Sequence, residues 1–219
     1  MKVVNLGANN SIINQFVAEL RDVNIQKDRM RFRNNVRRIG NLIAYEIRKT
    51  LKYKETEVVT PLATANMMLP IDNIVIGTVF RAGLPFHQGF LDIFDQAGNA
   101  FLSAYRYYTD RECNNIDVHI EYIATPDLYK KTFILVDPML ATGESLILAH
   151  KAFVTKGVPK KIILASVIAT EEGVARLNEK FPNTNIVLYT AAIDPILNDR
   201  KYIVPGLGDA GDLMYGENL

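Results

Sequence analysis

The stretch from Phe133 to Ser145, Phe-Ile-Leu-Val-Asp-Pro-Met-Leu-Ala-Thr-Gly-Glu-Ser, holds the residues best suited to chemistry. Asp137 follows a continuous apolar run, Phe133 to Val136, of the kind that forms a strand buried on both faces of a parallel sheet. Pro138 has no backbone N–H and ends that strand. The small-residue loop Met139-Leu140-Ala141-Thr142-Gly143 leads into a helix expected over Ser145 to Phe153. A strand–loop–helix turn of this type aims free N–H groups and the positive end of the helix dipole at one point, which favours an anion. Thr142 and Ser145 add hydroxyl donors. Asp137 does not favour an anion; it suits hydroxyls, or a metal, on the same ligand. A phosphate beside a vicinal diol, as in a ribose 5-phosphate, meets both demands. The string lacks the Gly-Lys-[Ser/Thr] ending of a P-loop, and its single glycine is too few for a dinucleotide fingerprint. Taken alone, it also fits an ordinary turn with an aspartate at its mouth.

Polar residues close other predicted strands. Ile74 to Phe80 runs into Arg81-Ala82-Gly83-Leu84-Pro85, with a helix expected from about Phe86 to Phe94. The small Ala82 and Gly83 let a ligand approach the backbone. Ala100 to Arg106 reads as a strand ending in an arginine. The tail from Tyr202 to Asp212, with Gly206, Gly208, Gly211 and Pro205, makes neither a helix nor a good strand. Its apolar opening is unusual for a free tail. His87, His119 and His150 show no metal-ligand spacing. His119 and His150 read as structural, while His87, close to Arg81, is a secondary candidate for an anion contact. No Ser/His/Asp or Cys/His arrangement stands out.

These residues need a scaffold, and 219 residues at 48% hydrophobic and 22% charged suffice for one globular domain with a substantial core. A net charge of +1 argues against a nucleic-acid partner. Cys113 is the sole cysteine, so no intrachain disulfide forms, which suits a reducing compartment. The N-terminus lacks the apolar core of a signal peptide and no stretch is long enough to span a bilayer, so a cytoplasmic protein is expected. Val3 to Leu6 reads as a short strand or arm, and Ile12 to Leu20 as a helix behind an Asn9-Asn10-Ser11 cap. Lys27 to Arg38 is basic, yet Phe32, Val36, Ile39, Ile43 and Ile47 follow helical steps, which predicts an amphipathic helix with a solvated basic face. Glu57 to Leu62 reads as a strand closed by Pro61. Thr109 to Asp117 and the alternating Val118 to Ile123 suggest a hairpin or arm. Lys161 to Ile168 and Asn185 to Thr190 are further strands, separated by a short helix over Glu171 to Leu177. Alternating strands and helices predict an α/β fold with a doubly wound, mainly parallel sheet flanked by helices. Ligands on such sheets sit at the carboxyl ends of strands, where Arg81, Arg106 and Asp137 are expected.

Read in order, five strings resemble the uracil phosphoribosyltransferases, a branch of the type I phosphoribosyltransferases. They are the helix Phe32 to Glu46, Arg81-Ala82-Gly83, Tyr105-Arg106, the loop Asp137 to Ser145, and the tail Tyr202 to Asp212. Asp194 to Asn198 resembles the family's approach to that tail. Most type I members carry two adjacent acids after the central strand; Asp137-Pro138 resembles this branch instead. The resemblance implies one domain over residues 1–219, with a small hood from about 1–30 and 190–219. It implies transfer of the 5-phosphoribosyl group of phosphoribosyl diphosphate (PRPP) to N1 of uracil, giving UMP and diphosphate. By resemblance, Arg81, Arg106 and Asp209 bind PRPP, together with the loop Asp137, Pro138, Met139, Leu140, Ala141, Thr142, Gly143, Glu144 and Ser145. Ile203, Gly208, Asp209 and Ala210 bind uracil, and Asp137, Arg106 and Asp209 are the catalytic set. Magnesium is implied as a cofactor carried on PRPP rather than bound by the chain. GTP is implied as an activator, as in some relatives, and a dimer or larger homo-oligomer as the assembly. The alternatives are transfer to another base, or a regulator that kept the fold. Three departures from the family stand out: Glu144 where a small residue is usual, Pro85-Phe86-His87 where glycine and methionine are usual, and the poorly matching stretch 109–129. A carboxylate facing the 5-phosphate would repel it, so Glu144 is expected to point to solvent.

Overall fold

The computed structural model describes residues 1–108, 116–182 and 185–217; for 104–108 and 116–119 the description is of the backbone. The chain opens with β1 (Lys2–Asn5), α1 (Ile12–Arg21) and α2 (Arg29–Arg48), followed by the strands β2 (Tyr53–Val59) and β3 (Thr64–Pro70). Next come β4 (Ile74–Val79), α3 (Gly83–Leu91), β5 (Gly98–Tyr108) and β6 (Ile116–Ala124). Then β7 (Thr132–Val136), β8 (Met139–Leu140), α4 (Glu144–Val154), β9 (Lys161–Thr170), α5 (Glu171–Lys180) and β10 (Val187–Asp194) complete the central unit. The tail forms β11 (Ile196–Leu197), β12 (Ile203–Val204) and α6 (Ala210–Tyr215).

The main sheet runs in the order β1-β10-β9-β7-β4-β5-β6, with short β8 also paired to β9. All its pairings are parallel except β5–β6. Every residue of β7 is buried. Phe133 and Leu135 pack with Leu146 and Phe153 of α4 and Leu177 of α5, whereas Ile134 and Val136 pack with α2 and α3 residues such as Ile39 and Phe90. Burial on both faces is why the strand reads as an unbroken apolar run rather than an alternation. The expected doubly wound α/β architecture is the one observed.

Several expectations need correction. The strand expected over 57–62 is half of a separate hairpin, β2–β3, which joins no other sheet. Its exposed residues include Val59, Met67 and Met68, with Leu62 in the turn 97% exposed. Neither face of it is buried, so no apolar–polar alternation marked β3. Strand β5 is longer than expected, and Arg106 lies inside it opposite Val118 rather than at its end. Its pairing with β4 stops at Leu102, so residues 103–108 run past the edge of the sheet alongside β6. Residues 2–5, expected in the hood, form the edge strand of the main sheet. The tail, expected to be irregular, includes the strand β12 and the helix α6, capped by Asp209.

The basic face of α2 is also less solvated than its sequence suggests. Arg31 holds Glu19 of α1 at 2.8 Å, Arg37 holds Asp92 at 2.7 Å, and Arg33 donates to the Met214 carbonyl at 2.6 Å. The Arg31 guanidinium and the Asn35 amide lower the Glu19 carboxyl to about 2. These arginines therefore join α2 to its neighbours instead of facing water alone.

A second tie secures the tail. Asp194, at the end of β10, is bracketed by Arg21 at 2.6 and 2.8 Å and accepts from the Gly206 N–H at 2.7 Å. Arg21 also donates to the Gly206 carbonyl, and Gln26 to that of Leu207. The Asp194 side chain is only 5% exposed against 25% for Arg21. Removing the arginine leaves a buried charge undercompensated. Arg21→Ala is therefore expected to cost about 2–3 kcal/mol in urea denaturation, somewhat less than a fully buried pair because the arginine is partly solvated. A loss below about 0.5 kcal/mol would place the pair among ordinary surface ion pairs.

Candidate active site at the carboxyl edge of the sheet

Strands β4 and β7 are parallel neighbours at the centre of the sheet, but their connections leave in opposite directions. The chain after β4 passes through α3 to β5 on one side, and after β7 through α4 to β9 on the other. The two loops separate at their common edge and open a crevice, as expected at a topological switch point. A cleft of about 590 Å³ lies there. Arg81 and Ala82 line it from the loop after β4, and Asp137, Met139, Ala141 and Ser145 from the loop after β7. Lys201, Ile203 and residues 208–212 line it from the tail.

The loop after β7 is built from local hydrogen bonds. Asp137 extends the β7–β9 pairing through its N–H to the Ala165 carbonyl at 3.0 Å, and its Oδ1 accepts from the Met139 N–H at 3.2 Å. Gly143 caps α4 with φ of 81°, a left-handed conformation that favours glycine, and offers no side-chain cap. The start of α4 therefore meets the loop without a capping carboxylate. A niche of about 20 Å³ lies between Asp137, Thr142, Gly143 and Ser145. Its backbone donors and hydroxyls suit a small anion. Pro138 lines neither cavity, and its carbonyl instead accepts from the Val167 and Ile168 N–H groups. Leu140 is buried in the core at the floor of the niche. The Glu144 side chain turns from the niche to Arg176 of α5, 3.0 Å away, so it is partly solvated but paired.

Arg81 follows a cis peptide bond at the mouth of β4. Its Nη2 donates to Asp212 Oδ1 at 2.9 Å and to the Gly216 carbonyl at 3.0 Å. Asp209 accepts from the Asp212 N–H at 3.0 Å and so caps α6 from within the cleft wall. Ile203 and Ala210 are nearly buried, while Gly208 has φ of 87° and turns its backbone in a way that a side chain would resist. The side chain of Arg106 lies outside the described residues, as do residues 109–115 and the side chain of His119.

Lys201 and Asp212 are cleft residues that the sequence did not single out. Lys201 stands at φ of 63° in the turn between β11 and β12. Nothing in its sequence context marks that conformation; Asp212 was visible only as the second acid of the tail string. Among the described residues no three acidic, histidine or cysteine side chains converge to hold a metal ion. Asp209 and Asp212 are already committed to a helix cap and to Arg81. His87, considered for an anion contact, is 3% exposed within α3 and stacks near Phe101, with ring centroids 5.2 Å apart. It does not reach the cleft. His150 packs edge-on against Phe181 and is structural.

Comparison with known proteins bears on this cleft. The family model described as uracil phosphoribosyltransferase matches residues 8–217. The chain is 53% identical over 219 residues to a uracil phosphoribosyltransferase of Porphyromonas gingivalis, covering all of both chains. It is 37% identical over 208 residues to one from Pyrococcus furiosus, covering 94% of this chain and 86% of that protein. Among solved structures, a protein from Aquifex aeolicus superposes with a TM-score of 0.86 at 30% identity, covering 99% of each chain. A hypoxanthine phosphoribosyltransferase from Staphylococcus aureus shares the fold at a TM-score of 0.50 and 11% identity, covering 90% of this chain and 92% of that one.

The buried His87 of α3 is expected to make stability depend on pH. Burial pushes the His87 imidazole below its usual range, partly offset by a hydrogen bond with the Ile76 backbone, and Nε2 has no partner among the described residues. The unfolded chain then takes up the proton first as pH falls below about 6.5. Stability due to His87 is complete above that pH and is lost as pH falls through its lowered folded value. The slope contributed is at most about 1.4 kcal/mol per pH unit. Urea titrations of His87→Met between neutral and mildly acidic pH are expected to show a flatter profile than wild type. An unchanged slope would mean that the ring is not held neutral.

Proposed function

The chain belongs to the uracil phosphoribosyltransferase family, and from that premise we propose that its cleft transfers the 5-phosphoribosyl group of PRPP to N1 of uracil, releasing diphosphate and UMP. What carries this reading is one juxtaposition. Asp137 and Ser145 on one wall and Ile203, Gly208, Asp209 and Ala210 on the other line the same cleft. The first wall suits a phosphate and ribose hydroxyls; the second offers backbone groups to a flat polar ring.

The reaction breaks the bond from ribose C1 to diphosphate and forms one to uracil N1, through a transition state with positive charge on the ribose. The niche at the start of α4 would take the 5-phosphate through backbone N–H groups and the hydroxyls of Thr142 and Ser145. Asp137 would accept hydrogen bonds from ribose hydroxyls, bonds that strengthen as C1 becomes cationic. Arg81 and Arg106 would meet the charge growing on the departing diphosphate. Arg81 spends one nitrogen on Asp212 and Gly216, which links the diphosphate end of the site to α6. Backbone N–H groups near Gly208 and Ala210 would meet the uracil oxygens, and a carbonyl near Ile203 or Gly208 its N3–H. Cytosine reverses donor and acceptor at two of these places. Asp209, between base and PRPP, both caps α6 and faces the ligand space. In this reading the strand pair β5–β6, which runs past the end of β4, would be the element that excludes water. Magnesium, in this reading, would arrive with PRPP rather than on ligands of the chain and would supply positive charge to the departing diphosphate.

The same reading takes residues 1–219 as one domain, with α1, β11, β12 and α6 forming the hood. A homo-oligomer fits the exposed apolar residues of the β2–β3 hairpin, among them Val59, Leu62, Met67 and Met68. No helix among the described residues is long and apolar enough to cross a membrane. A cytoplasmic location fits the sole cysteine, and GTP activation rests on the family resemblance alone.

Turnover with PRPP, magnesium and a panel of bases tests the assignment. Uracil is expected to be used at least a hundredfold better than cytosine, since two unpaired buried polar groups cost about 1–3 kcal/mol each. Equal use of a purine, or no turnover with any base, would refute it. Asp137→Asn is expected to lower kcat/KM by roughly 30- to 1,000-fold, or about 2–4 kcal/mol, while leaving the unfolding curve in place. Near-normal turnover in that variant would remove Asp137 from the catalytic set.

A further inference from the structure

Helix α5 begins directly behind the phosphate loop. The hydroxyl of Thr170, its cap, donates to the Ala141 carbonyl at 2.6 Å and accepts from the Gly173 N–H at 2.9 Å. Gly173 lies so close to the loop that a Cβ there would collide with the Ala141 carbonyl and sit 3.1 Å from that of Leu140. One turn further on, Arg176 Nη2 meets Glu144 Oε1 at 3.0 Å, and Leu177 packs beside Gly143. Thr170, Gly173, Arg176 and Leu177 follow steps of three and four, so one face of α5 supports the loop from Leu140 to Glu144.

Glu144 is the odd member of that loop. As the first residue of α4 it interacts favourably with the helix dipole, yet the same helix end faces the niche suited to a phosphate. A carboxylate rotated into the niche would set a negative charge against the negative ligand. Arg176 offers it an opposite charge on the far side, and the Glu144 side chain lines neither the niche nor the cleft.

We infer that Arg176 is a positioning residue for PRPP binding: it holds the Glu144 carboxylate away from the 5-phosphate niche and so makes an acidic residue tolerable in the loop. This inference rests on the proposed use of PRPP. Both side chains of the pair are nearly half exposed, at 49% and 46%, so the pair adds little to global stability. Its effect is on ligand charge, which separates it from a structural role.

The test is PRPP affinity by calorimetry with magnesium present, alongside the KM for each substrate, in Arg176→Ala and in Arg176→Ala/Glu144→Gln. Arg176→Ala is expected to weaken PRPP binding by about five- to tenfold at low salt, the scale of like charges several ångströms apart in solvent. The effect should shrink at high salt, while the uracil KM and the unfolding midpoint stay close to wild type. The double variant is expected to regain most of the lost affinity, because the charge that needed holding is gone. Binding by wild type with no change in Arg176→Ala would overturn the inference alone. A loss that Glu144→Gln does not repair, or that is insensitive to salt, would also overturn it, by showing that α5 supports the loop without regard to charge. No PRPP binding by wild type would overturn the inference together with the reading beneath it.

Discussion

The cleft depends on the pairing of β4 with β7. Five register pairs, from Ile74 with Thr132 to Thr78 with Val136, hold the two strands side by side. Both are nearly fully buried, so neither can end in the core without stranding polar backbone groups. Their loops must emerge at one edge, and the opposed directions of the next connections pull those loops apart. Thr78 reinforces the junction by donating to the Val136 carbonyl at 3.2 Å. Arg81 and Asp137 thus face one space because of backbone geometry, before any side chain of the site interacts with another.

The second wall has a different origin. The tail is too short and too rich in glycine to hold a shape alone, and it is fastened to the body by charged groups. Arg21 and Asp194 fix the turn at Gly206, Arg33 holds the Met214 carbonyl, and Arg81 reaches Asp212 and the Gly216 carbonyl. The last of these is also a cleft residue. Arg81 therefore bears on the helix beside the backbone proposed to meet the base, so the two walls of the cleft share a support. Asp209 has a similar double position, since its carboxylate caps α6 and lines the cleft.

Acidic groups in and beside a cleft proposed to bind anions need donors or opposite charges of their own. Asp212 has Arg81 and Glu144 has Arg176, while Asp137 is engaged by the Met139 N–H. Each carboxylate is thereby oriented, and its charge is met locally rather than across the ligand space. Near the surface such pairs contribute little to stability.

The fold class, the central strands and the loop that follows β7 are legible in the residues alone. A strand covered on both faces must be apolar throughout, and a glycine between a strand and a helix leaves amides free, so both features are written locally in Phe133 to Ser145. The tail string and Arg81 were legible in the same way, as particular residues at particular turns. Only the tertiary structure decided how those pieces meet. The pairing of Arg81 with Asp212 spans 131 positions and that of Arg21 with Asp194 spans 173, separations over which no periodicity speaks. The second strand of the hairpin β2–β3 carries no sequence signal, because an exposed ribbon has no buried face to impose alternation. Burial of His87 under Phe101, and the turn of Glu144 toward Arg176, likewise depend on which helix packs behind which loop. That packing is set by the order of strands in the sheet, which the chain acquires only on folding.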